Sequence, residues 1–75
     1  MDELITYIAK SLVDYPDQVE VRKIPGGHTV VYELRVAEAD RGRVIGKNGQ
    51  TIQAIRTILK AATASDYKPV LEVPG

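Results

Sequence analysis

Val44-Ile45-Gly46-Lys47-Asn48-Gly49-Gln50-Thr51-Ile52 sets two glycines three residues apart, with a lysine and an asparagine between them and branched apolar residues on both sides. After Gly49 the pattern is helical, with Ile52, Ile55 and Leu59 on one stripe. Before Gly46, Val44 and Ile45 close a short helical segment that begins near Glu38. The stretch therefore reads as a very short glycine-bounded loop between two helices, with a cation at its tip. Glycine has no Cβ to hold a ligand at a distance, so such a loop brings backbone N–H groups close to an anion. The second helix starts at or just after Gly49 and aims its free N–H groups and positive dipole end at the same spot.

The surroundings bound what this loop serves. A chain of 75 residues holds one domain, residues 1–75, with one small core. No cysteine is present, and His28 is the single histidine, which excludes a disulfide frame and a multi-histidine metal site. No cofactor, small-molecule substrate or membrane partner is implied: there is no long apolar run, and Met1-Asp2-Glu3 is acidic where a signal peptide is basic. The expected setting is cytoplasmic. Net charge is zero, yet from Arg41 to Ser65 the only charged residues are Arg41, Arg43, Lys47, Arg56 and Lys60. A local positive field of that kind steers an anion more than net charge does.

The remaining segments read in order. Leu4, Ile5, Ile8, Ala9, Leu12 and Val13 form the stripe of an amphipathic helix from Asp2 to Asp14, stopped at Tyr15-Pro16. Gln18 to Ile24 alternates as a half-buried strand, Pro25-Gly26-Gly27-His28 makes a turn, and Thr29 to Val36 returns with Val30, Tyr32, Leu34 and Val36 on one face. His28 at the hairpin tip receives no role. Ala37 to Ile45 is a helix of about two turns. Gly42 inside it costs up to ~1 kcal/mol relative to alanine, for close helix packing or for the passage of a nucleic-acid backbone. The last helix, Gln50 to Ala64, carries Ile52, Ile55, Leu59 and Ala62 toward the sheet, and Arg56, Lys60 and Gln53 on the opposite side. Ala54, Ile58 and Ala61 widen its apolar arc, either because a small core wraps the helix or because they form a self-association seam. Ser65 to Lys68 breaks the helix, and Pro69 to Val73 is a final strand with Leu71 and Val73 inward.

The order is α-β-β-α-α-β. Two helices between the second and third strands imply a parallel crossover, hence an α+β fold with a mixed three-stranded sheet and three helices on one face. Other glycine motifs fail on spacing. A Walker A loop needs four residues between its first glycine and Gly-Lys-Ser/Thr, whereas Gly42 to Gly46 encloses three and Asn48 follows the lysine. No strand leads into the glycines, as the dinucleotide fingerprint requires. No acid lies in the loop and no base sits near a nucleophile, so no catalytic residue is assigned and an enzyme is not expected.

With these elements in place, residues 44–52 resemble the signature of the KH domain, apolar-Ile-Gly-x-x-Gly-x-x-Ile. The element order is that of the type II, prokaryotic arrangement, and the chain with Ile55-Arg56-Thr57 in its last helix resembles the small bacterial KH proteins of the KhpA family. The resemblance implies a single-stranded RNA-binding protein, an RNA chaperone or post-transcriptional regulator. Its Gly46-Lys47-Asn48-Gly49 loop would hold the sugar–phosphate backbone, Lys47 would pair with a phosphate, and such loops clamp about four nucleotides. Val44, Ile45 and Ile52 would build the apolar shoulder, a groove edged by the second strand would receive bases, and Arg41, Arg43 and Arg56 would be auxiliary cations. It also implies pairing through Ala54, Ile58 and Ala61, as a homodimer or with another KH protein. The alternative is an assembly module that keeps the KH fold and has little RNA binding of its own.

Overall fold

The computed structural model describes residues 2–63 and 66–74. Helix α1 (Asp2–Leu12) carries its acids in the first turn and Lys10 in the last, as the helix dipole favours. Its apolar stripe buries Ile5 and Ala9 completely. The helix ends before the expected stop: Pro16–Gln18 forms a separate 3-10 turn, and the Asp14 and Tyr15 backbone N–H groups donate to the carboxylate of Asp40, each at 3.1 Å.

Strand β1 (Glu20–Gly26) pairs antiparallel with β2 (Thr29–Arg35), in a register that sets Val21 opposite Leu34 and Pro25 opposite Val30. The turn is therefore shorter than expected, only Gly27-His28, and Pro25 lies within a strand. Proline is tolerated there because β1 is an edge strand. β3 (Lys68–Glu72) pairs parallel with β2, giving the order β1-β2-β3, and its first N–H donates to the His28 carbonyl at 2.7 Å. The mixed sheet and the α-β-β-α-α-β order are those of a type II KH fold.

A 3-10 turn (Glu38–Asp40) leads into the short α2 (Arg41–Ile45). A second such turn (Lys47–Gly49) leads into α3 (Gln50–Ala62). One face of β2 contributes Val30, Tyr32 and Leu34 to a core completed by Ile5 and Ala9 of α1, Val44 of α2, Ile52, Ile55 and Leu59 of α3, and Leu71 of β3. α3 stops at Ala62, since Thr63 is already extended; the expected end at Ala64, like Ser65, lies outside the described residues. Ala62 is exposed, not sheet-facing. At ~100° per residue its place on the helix falls between buried Ile55 and exposed Ile58, and in the last turn it follows Ile58 out to solvent. Among the described residues no helix is long and apolar enough to cross a membrane.

Candidate nucleic-acid interface

The loop is built by the way α2 ends. The Gly46 N–H closes the helix on the Gly42 carbonyl at 2.8 Å, and Gly46 then adopts φ 78°, ψ 169°. That combination is essentially restricted to glycine. A Cβ at Gly46 would stand 2.7 Å from the Thr51 Cβ and 2.8 Å from its backbone nitrogen, so the missing side chain is what lets the first turn of α3 sit against the end of α2. Asn48 (φ 57°, ψ 26°) and Gly49 (φ 74°, ψ 14°) follow in the left-handed region, which asparagine tolerates better than other residues with a Cβ. The Gly49 N–H donates to the Gly46 carbonyl at 3.1 Å and the Gln50 N–H to that of Lys47, closing one tight turn.

That turn leaves a bare helix end. No side chain caps α3 and no acid lies in its first turn, so the positive end of a 13-residue dipole faces the loop unneutralised. Lys47 and Asn48 are exposed at the tip, with no side-chain hydrogen bond or ion pair among the described residues.

The other expected site residues divide by burial and by partner. Val44 is completely buried, so it anchors α2 in the core and offers the interface no surface. Ile52 is buried behind the loop and Ile45 half-buried beside it. Arg41 donates to the carbonyls of Pro74 (3.2 Å) and Val73 (3.4 Å), and Arg56 to that of Leu71 (3.0 Å). Both arginines thus bind the chain at and after β3. Arg56 leans toward that strand instead of pointing away from the sheet, because a half-covered edge strand offers carbonyls to the nearest long donor. Arg43 pairs with Asp14 at 3.3 Å, with the two side chains 56% and 63% exposed. A pair that open contributes at most ~1 kcal/mol and is readily exchanged for another anion.

Two features depart from expectation. β2 is hydrogen-bonded on both sides, so it has no free edge to offer a groove; the edge strand that α3 reaches through Arg56 is β3. Gly42 is exposed, and a Cβ there would meet nothing within 4 Å, so close helix packing does not explain it. In the sequence Asp40 reads as one of the early acids of the short helix from Ala37 to Ile45, suited to its dipole and nothing more. It is 1% exposed and ties the segment that follows α1 to the start of α2. The one available signal was its place in the acid-rich approach to a basic window, which does not distinguish it from Glu38.

A family model described as "KhpA/KhpB, KH domain" matches residues 2–73. The chain belongs to the KhpA/KhpB KH-domain family. Among curated members of this family, the RNA-binding protein KhpA of Caldanaerobacter subterraneus subsp. tengcongensis is 52% identical over 71 residues, 95% of this chain and 95% of that protein. The RNA-binding protein KhpA of Treponema pallidum is 49% identical over 73 residues, 96% of this chain and 91% of the relative. That of Chlamydia caviae is 46% identical over 74 residues, covering 97% and 95%. No solved structure matches the chain.

Proposed function

We propose that this chain is a non-enzymatic, cytoplasmic single-stranded RNA-binding protein, an RNA chaperone or post-transcriptional regulator, that holds the RNA backbone at Gly46-Lys47-Asn48-Gly49. The observation that carries the reading is the uncapped start of α3 behind a turn with an exposed lysine and no acid. A phosphate seated there meets backbone N–H groups, a helix dipole and an ammonium together. The names of the KhpA relatives point the same way. Ile45 and Ile52 line the shoulder, and Arg41, Arg43 and Arg56 add to the field. A guanidinium has five donors, so the bond from Arg56 to Leu71 leaves others for a phosphate.

Neutralising ~3 phosphates gives a salt slope of about −2 on a single strand. One such module binds weakly, and pairing two raises avidity through effective concentration. A pairing surface is available: Ala54, Ile58 and Ala61 lie together on one flank of α3 and all are exposed, Ile58 by 45%. This flank joins two copies, or this chain and another KH protein. Replacing Lys47 and Asn48 by aspartate keeps both glycines, and is expected to abolish RNA binding with thermal unfolding unchanged. Undiminished weak binding would instead favour the assembly module. Sedimentation at tens of micromolar tests the seam: a monomer, with Ile58→Glu changing nothing, removes it.

A further inference from the structure

We propose that Tyr67 is a second contact for the same RNA, an aromatic platform at the far end of α3 on which a base stacks; this rests on the RNA-binding reading above. Tyr67 is 49% exposed and forms the wall shared by two clefts. One cleft, about 320 Å³, is lined by Lys60, Tyr67, Lys68 and Pro69. The other, about 360 Å³, lies over the hairpin end of the sheet and adds Lys23, Pro25, Val30, Tyr32 and Thr63. An aromatic side chain that lines two open clefts, with Lys23 in one and Lys60 and Lys68 in the other, suits a nucleotide, whose base stacks while its phosphate meets an ammonium. Asp66 is the only acid between Arg41 and Leu71, so little opposes that charge.

The position fits a strand leaving the loop. α3 has 13 residues, so its end lies ~20 Å from its start at about 1.5 Å per residue. Between the loop and Tyr67, the flank of α3 that leans toward β3 presents Arg56 and then Lys60, one helical turn apart and both exposed. At ~100° per residue, Ala54, Ile58 and Ala61 fall on the other flank, so pairing of two chains leaves this track open. An RNA held at Lys47 thus finds cations along its path and the tyrosine at its end. The loop alone accounts for about four nucleotides. The tyrosine extends the footprint beyond them.

The test is equilibrium binding of fluorescently labelled random-sequence ribo-oligonucleotides of about four and about ten nucleotides, the shorter matching the loop's own footprint. The unaltered chain is expected to favour the longer pool by at least the factor of one base–aromatic stack, about 5- to 140-fold. Tyr67→Ala is expected to remove most of that advantage, leaving the smaller part that Lys60 and Lys68 supply, and Tyr67→Phe to keep it. Lys60→Gln with Lys68→Gln, both at exposed side chains, is expected to lower the salt slope by about 1 without touching the fold. A length advantage undiminished in Tyr67→Ala, as it would be if two protomers shared one strand, overturns the proposal. If the Lys47 and Asn48 aspartate variant loses binding in the same experiment, the loop reading survives that failure. No binding of either pool by the unaltered chain overturns both.

Discussion

Asp40 and Lys47 stand at the two ends of α2, and their charges are used in opposite ways. Asp40 is sealed in the interior, and its two oxygens accept hydrogen bonds from the Asp14 and Tyr15 backbones. Lys47 is exposed on a turn whose backbone angles exclude most residues, with no partner among the described residues. A buried carboxylate is tolerable only when hydrogen-bonded, so the first end of α2 is a joint whose charge serves stability. A lysine with nothing to hold serves stability very little, so the second end is free to take a ligand. A helix of five residues thus separates a charge engaged in holding the fold from one left without a partner among the described residues.

The contrast yields graded expectations. Asp40→Ala should have the largest effect. It strands two backbone donors and removes charge-assisted bonds, at a cost of about 3 kcal/mol or more. A domain this small is only a few kcal/mol stable, so circular dichroism should show a largely unfolded chain at 37 °C. Gly46→Ala should cost about 2–3 kcal/mol, from a backbone conformation alanine avoids and from collision with Thr51. Urea denaturation would read this as a lower midpoint with unchanged slope. Gly42→Ala should move the other way, stabilising by up to ~1 kcal/mol because its Cβ meets nothing, and raising the melting temperature by roughly 4–8 °C. If RNA binding falls while stability rises, the open space over Gly42 belongs to the nucleic acid. Aspartates at Lys47 and Asn48 should shift the midpoint least, by no more than ~0.5 kcal/mol, as surface changes do. A large loss of stability there would show that the loop end of α2 also carries the fold.

Much of this was legible in advance. The glycine pair, the stripe of Ile52, Ile55 and Leu59, and the alternation of Val30, Tyr32 and Leu34 each follow from a period or a backbone requirement inside one element. The parallel pairing of β2 with β3 followed from two helices lying between them. What escaped notice depended on neighbours distant in the chain. Asp40 bonds to residues 25 and 26 positions earlier, and Arg56 to a carbonyl 15 positions later. Neither partner leaves a periodic trace. Pro25 inside a strand and exposed Ala62 were misread because local rules describe an average strand or helix. They do not say where a particular sheet has its edge.

Residues 44–52 specify their own conformation, because glycines at positive φ, a branched flank on each side and a helical period afterwards are requirements met within a few residues of chain. The element order and the identity of the core faces were settled at the same local level. Packing settled which charges remain available. Arg41 and Arg56 were drawn to backbone carbonyls at and after β3 and Arg43 to Asp14, while Lys47 and Lys60 have no side-chain partner among the described residues. A charge's availability depends on which acceptors the folded chain brings within reach, and those distances exist only once the sheet and helices are assembled.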